Sequence, residues 1–390
     1  MFDVRELASR IDAELPALLA TAERVVNIDS GTYHAPGVNA VIDVWAELLT
    51  QLGFVLERRK VPERGDQLSA RLNLGAGPRI LVLGHADTVW PIGTVAEWPF
   101  KRDGDRLSGP GVGDMKTNVV MALHALGVLL RDGLSGVGSI TLLIVPDEEI
   151  GSPQSRDWIE AEARNADFSL TLEPSRPNGG MVVGRGAVGA AYLHAKGVTA
   201  HSGSFRAMGA SAISALSPLV ARIEALGSIE EGNYATVGLF RGGEARQVVP
   251  GSAEMHLDIR ATDAPSAAAI WNEIQALAGQ PPVDPRVKIT LSGGLTRPAF
   301  PDLPAMHALY ALAAGFAKDL GAPIAKVVSR GGSDGSFAAQ FGVPSLDGMG
   351  PICHEVCSRR EWIELSSIAP RGAIFAGIIK SIAGGWKPPD

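Results

Sequence analysis

The chemistry in this sequence is carried by a few histidines and carboxylates placed where apolar runs stop. His85 and Asp87 stand two apart at the end of RILVLGH, which puts both side chains on one side of an extended backbone, so one can bind a metal while the other supports the site. Asp114 lies in a glycine-rich turn, GPGVGDMK, directly before an expected helix, where a short carboxylate can be held in fixed geometry. Glu148 and Glu149 end an apolar run in PDEE, Glu173 caps the next run, and His354 sits in a final turn-rich loop. Without cations, carboxylates gathered in one crevice would cost several kcal/mol for each buried charge. Any one of these residues alone reads most simply as a solvated loop residue, but five at successive strand ends do not. Two imidazoles and three carboxylates spread over strand ends fit a cocatalytic two-metal centre, whereas a structural zinc would be closed by thiolates at short spacing.

Two other motifs offer different chemistry. Gly184, Gly186 and Gly189 satisfy G-x-G-x-x-G, but the following residues alternate like a strand. No acidic residue stands about twenty positions on to hold a ribose, so a strand-to-strand connection is the better reading. Gly331, Ser333 and Gly335 make G-x-S-x-G, with Asp347 and His354 following in the order of an α/β-hydrolase triad. In such triads acid and base end separate elements; here they fall in one short stretch, and the other carboxylates go unused. A serine hydrolase on Ser333 is therefore the alternative to the metal centre.

The elements that must position these groups are legible as period. PRILVLGH, SITLLIVPD and FSLTLEPS are short apolar runs about one helix apart, and residues 118–131 are apolar all round, as in a helix packed on a sheet. This predicts an α/β domain built on a mixed, mostly parallel sheet flanked by helices, with ligands collecting at the carboxyl ends of the strands. From Pro174 to Ile223 there is no Asp or Glu, while Arg176, Arg185, Lys196, Arg206 and Arg222 would attract an anion. AAYLHAKG and AEMHLDIRA then alternate as half-exposed strands, interleaved with helices near 209–226 and 264–279. After SGGLTRPAFPD the α/β style resumes, with a helix at 304–320, the strand AKVVS, a helix at SFAAQFG and a C-terminal helix from about Ser366. We expect a catalytic domain in two parts, 1–184 and 298–390, interrupted by a smaller α+β domain at 185–297.

At 390 residues, 46% hydrophobic and 20% charged, the chain can bury a real core in two domains. Its net charge of -7 makes it a poor general partner for nucleic acid or an anionic membrane. The first 26 residues carry charges in every turn and read as a surface helix, with no signal peptide or anchor, so a soluble, cytoplasmic protein is expected. Cys353 and Cys357 are too close for an unstrained bridge and read as free thiols, although soft metal ligation is conceivable for both.

Taken in order, GHADTV, GPGVGDMK, PDEEIGS, TLEPS, GVTAHSG, RGGSDG and the terminal histidine loop resemble the M20 family of metallopeptidases, most of all its glutamate carboxypeptidase branch, from about residue 35 to the end. The resemblance implies two zinc ions per subunit bridged by Asp114, with His85 and Glu173 completing one site and Glu149 and His354 the other. It makes Glu148 the general base and has Asp87 orient His85. It also implies a cis peptide between Asp114 and Met115. The inserted domain would be the lid and dimerisation domain of a homodimer, with His201 reaching the active site of a second copy to stabilise the oxyanion. Arg260 in LDIRA would grip the terminal carboxylate of the substrate. Gln247 stands where glutamate-specific relatives carry asparagine, and Arg297 matches a further substrate-side arginine.

Two departures stand out. After Asp114 the chain reads MKTN where relatives commonly have a glycine pair. Around His354 the family often has His, Ser or Thr, two residues and then Glu, but the stretch HEVCSRREW is longer. The resulting expectation is a zinc-dependent hydrolase that removes a C-terminal amino acid, glutamate or similar, from small peptides or N-acyl amino acids. An aminoacylase- or deacetylase-type amidohydrolase on the same metals is the nearest alternative. A catalytically silent binding protein would have no need of Glu148.

Overall fold

The structure, a computed structural model, describes residues 2–389. It contains two compact units. One comprises the residues up to Gly184, Pro301–Ser329 and the chain from Ser333 on; the other comprises Arg185–Phe300 and Arg330–Gly332.

The larger unit is built on six strands in the order Val55–Arg59, Gln67–Asn73, Ser139–Val145, Arg79–His85, Phe168–Thr171 and Ser345–Leu346. The first three pair antiparallel and the rest parallel. All seven residues of Ser139–Val145 are buried, because helices cover both faces and leave no solvent side for alternation. The register levels His85 with Val145 and Leu83 with Thr171. Residues 147–149 and 173 therefore leave the sheet along the same edge as His85.

Helix Thr117–Arg131 is buried along most of its length and packs against the C-terminal helix Leu365–Ala383. The expected N-terminal surface helix is instead two helices, Val4–Ala13 and Leu15–Val26. Asp3 caps the first by accepting the Arg5 N–H, and Pro16 opens the second, where a missing N–H is harmless. Their charges lie on one side; Leu7, Ile11, Leu18, Val25 and Val26 form a buried stripe on the other.

A small antiparallel sheet joins Cys353–His354, Trp362–Glu364, Arg106–Ser108 and Lys101–Asp103. It sets the loop 355–361 against the glycine-rich turn that carries Asp114. Buried Arg371, on the C-terminal helix, fixes the preceding segment by donating from Nε to the Gly350 carbonyl at 2.9 Å and from Nη2 to that of Gly348. Burial lowers its pKa to about 9.

The smaller unit is an antiparallel sheet ordered Gly227–Ser228, Asn233–Gly242, Ser252–Ala261, Ala187–Lys196 and Lys288–Arg297, with helices Ala212–Glu224 and Ala264–Ala278. Alternate residues of Ala187–Lys196 are buried. Leu193, Leu216, Ile223, Met255, Ile259 and Ile274 meet in its core. Gly186 separates strand Gly180–Arg185 from Ala187–Lys196, so the G-x-G-x-x-G run is a strand-to-strand connection. Among the described residues no helix is long and apolar enough to cross a membrane.

Candidate metal centre

The site is assembled from the carboxyl edge of the main sheet. Asp87, fully buried, accepts from the Thr32 hydroxyl at 2.7 Å and from the backbone N–H groups of Glu148 and Glu149 at 3.1 and 3.2 Å. It thereby ties the end of one strand to the PDEE turn after its neighbour. His85 Nδ1 lies 3.0 Å from the Asp87 carbonyl oxygen and 3.4 Å from its carboxylate. Nε2 is left facing Asp114 Oδ1 at 3.1 Å, with Glu173 Oε1 at 4.0 Å.

Asp114 is presented by a turn that only particular residues can make. Gly111 has φ 74°, and a Cβ there would come within 2.7 Å of the Thr88 methyl group. The Asp114–Met115 peptide is cis. Asn118 Nδ2 braces the turn by donating to the carbonyls of Gly113 and Leu172, both at 2.7 Å. The buried Glu361 carboxylate accepts the Gly113 and Asp114 N–H groups at 2.9 and 3.3 Å through Oε1, and the Cys357 N–H at 3.1 Å through Oε2. Burial and the nearby Asp114 push Glu361 up to about 8 against the pull of those N–H groups. Lys116, lowered to about 7 by burial, donates to the Ile28 carbonyl at 2.7 Å.

Ligand-capable atoms of His85, Glu148 and Glu173 lie within 4.8 Å of one another, as do those of His85, Asp114 and Glu149. Burial, then repulsion from Asp114, holds Glu149 and Glu173 well above the ordinary carboxylate range. Burial opposes protonation of His85, yet its hydrogen bonds to Asp114 and Asp87 raise it well above the usual imidazole value. Carboxylates that resist ionising together are what a divalent cation relieves, and an oxygen and imidazole donor set suits zinc. The residues present therefore fit a metal centre.

His354 is not brought into either cluster. Its Nε2 lies 2.8 Å from Glu364 Oε1, and its ring stacks on Trp362 at 4.0 Å. The pairing of Cys353 with Ile363 and His354 with Trp362 fixes that direction. Cys357 stands at the glycine-rich turn that carries Asp114, with Sγ 3.3 Å from Asp114 Oδ2. Burial and the surrounding carboxylates, Asp114 first, raise its pKa, so the thiol is the donor. Buried Cys353 lies against Gly113. Ser333 is also buried, its Oγ accepting the Gly335 N–H at 3.1 Å, and Asp347 is buried with its backbone paired to Val182. His354, the base of the serine reading, is engaged by Glu364.

In the smaller unit, exposed His201 accepts the N–H groups of Gly203 and Ser204 at its Nδ1, 3.2 and 3.1 Å away. Gln247 is exposed, and its backbone carbonyl accepts the Ser202 N–H at 2.9 Å, so the two loops back onto each other. Arg260 forks onto Asp258 through Nε and Nη2 at 2.7 and 3.1 Å. Arg297 is buried beside Gly332.

Residues 81–381 match the peptidase family M20/M25/M40. The chain belongs to peptidase family M20. This M20 hydrolase is 30% identical to carboxypeptidase G2 of Pseudomonas sp. (strain RS-16), over 95% of its own length and 91% of that protein's. It is 26% identical to a succinyl-diaminopimelate desuccinylase of Thioalkalivibrio sulfidiphilus, over 93% and 98%. Among solved structures, aminopeptidase PepT of Bacillus cereus matches with a TM-score of 0.74 at 20% identity, over 95% of this chain and 99% of that one, a likeness of fold. The M20 metallopeptidases use metal ions, and the His85 and carboxylate clusters are the fitting place for them here.

Thr32, Asn118, Lys116 and Glu361 also support the site, and none of them is marked by residue type or spacing in the sequence.

Proposed function

We propose that this M20 hydrolase is a zinc-dependent carboxypeptidase-type enzyme that releases a C-terminal amino acid, glutamate or a similar residue, from small peptides or N-acyl amino acids. The observation that carries the reading is the convergence of His85, Asp114, Glu148, Glu149 and Glu173 at one edge of an otherwise apolar sheet. Two zinc ions would be held here by Asp114, His85, Glu173 and Glu149. Bound zinc would polarise the scissile carbonyl and lower the pKa of a coordinated water to about 7. Glu148 accepts the proton of the attacking water and hands it to the leaving amine. Asp87 holds His85 Nδ1 so that Nε2 stays turned toward the metal position.

Nδ1 of His201 accepts two backbone N–H groups, which leaves Nε2 as the ring's donor for an oxyanion. In this reading His201 serves the active site of a second copy in a homodimer formed through the smaller unit. Arg260 takes the substrate carboxylate by giving up the fork now held by Asp258, with Gln247 and Arg297 as further substrate-side groups. A cavity of about 650 Å³ beside Glu149, lined by Tyr33, His34, Val89, Trp90, Ile92 and Ile150, suits an apolar acyl group.

The test is a screen of N-acyl amino acids and dipeptides with zinc present, reading the released amino acid. Release of glutamate or a similar residue, with bulky apolar acyl groups preferred over acetyl, is expected. Hydrolysis confined to short acyl groups would favour the amidohydrolase alternative, which the similarity to a protein named as a desuccinylase supports. Failure on every compound would remove the proposal.

A further inference from the structure

We propose that Cys357, and not His354, supplies the remaining protein ligand of the second metal position, making this a mixed imidazole, carboxylate and thiolate centre. The inference rests on the metallohydrolase reading and extends it to a ligand type that the expected set of histidines and carboxylates lacks.

The two oxygens of Asp114 face different partners. Oδ1 lies 3.1 Å from His85 Nε2, and Oδ2 lies 3.3 Å from Cys357 Sγ. A carboxylate shared by two cations needs a donor of its own on each side, and the sulfur stands on the side away from His85. His354 is committed elsewhere, to Glu364 at 2.8 Å and to the face of Trp362.

The position of Cys357 is built rather than incidental. Its φ of 57° is uncommon for a residue with a side chain. Glu361 takes its N–H on one carboxylate oxygen and those of Gly113 and Asp114 on the other. One buried carboxylate therefore registers the backbone of the thiol against that of the bridging aspartate. Counted back from Glu361, Cys357 and Ser358 also fit the spacing His, Ser or Thr, two residues, Glu, with sulfur where the imidazole would stand. Cys353 offers no such position, since it is buried against Gly113 and its thiol points to the His354 carbonyl at 3.7 Å. Thiolate is among the strongest protein donors for zinc. When the metal–sulfur bond forms, the S–H bond breaks and its proton leaves to solvent.

The test strips the full-length protein with a chelator and titrates it with Co(II) alone, then with Zn(II) alone. Wild-type protein should develop sulfur-to-cobalt charge-transfer absorption in the near ultraviolet. Cys357→Ser should lose that absorption and roughly half of the bound metal. Cys357→His should regain the metal content without the absorption, which keeps the test open if the serine variant fails to fold. Cys353→Ser and His354→Ala should retain both. Stoichiometric cobalt without thiolate absorption in the wild type, or metal loss in His354→Ala with none in Cys357→Ser, overturns the assignment and leaves the metallohydrolase intact. Failure of the wild type to bind either metal removes the metallohydrolase reading and this inference with it.

Discussion

Replacing Glu148 by glutamine should cut kcat by about 10² to 10⁴-fold while metal content, fold and KM stay close to those of the wild type. Gln keeps the shape and hydrogen-bonding capacity of the side chain but cannot accept the proton of the attacking water. Glu148 lies within ligand distance of His85 and Glu173 as well, so metal analysis must accompany the kinetics. A variant that keeps its zinc and loses turnover identifies a base. One that loses zinc identifies a ligand, and a near-normal kcat refutes the assigned role.

Asp114→Asn carries the second large effect, and it acts in opposite directions on activity and on stability. Loss of the shared carboxylate should reduce turnover by roughly 10³-fold or more, several kcal/mol of transition-state stabilisation. In metal-free protein the same carboxylate helps hold Glu149 and Glu173 well above their ordinary value of 4.5. Between that value and their raised ones the folded state binds more protons than the unfolded state, so metal-free stability falls as pH rises through this window. Asn removes one source of the repulsion. Metal-free Asp114→Asn should therefore be more stable than metal-free wild type near neutral pH, with a shallower pH slope, whereas adding zinc should stabilise only the wild type strongly. Denaturant midpoints measured across pH, with chelator and with zinc, check both halves. A variant that zinc stabilises as much as it does the wild type would contradict the bridging role.

Much of this architecture is legible in the sequence because it rests on burial. The strands ending at His85, Val145 and Thr171 are covered on both faces, so they read as continuous apolar runs, and the polar residues that follow them mark the functional edge. The smaller unit announces itself by a change to two-residue alternation. What escaped depends on side-chain direction within loops, where no periodicity operates. His354 stands in a turn-rich loop, and pairing with Trp362 in a two-residue strand sets its ring against Glu364, a direction no periodicity reveals. Glu361 lies in CSRREW beside two arginines, yet it is buried and accepts three backbone N–H groups. The break between the first two helices is written in Pro16, but a proline within a helical run can also kink one helix without ending it.

In the proposed mechanism hydrolysis depends on metal held at this sheet edge. The most direct measurement is to strip the protein exhaustively, add zinc in increments, and follow bound metal and hydrolysis of an N-acyl glutamate on the same samples. Stripped protein should show no turnover, and activity should return in proportion to bound zinc, with a plateau at about two ions per chain. Full turnover after complete removal of metal, together with its loss in Ser333→Ala, would contradict it.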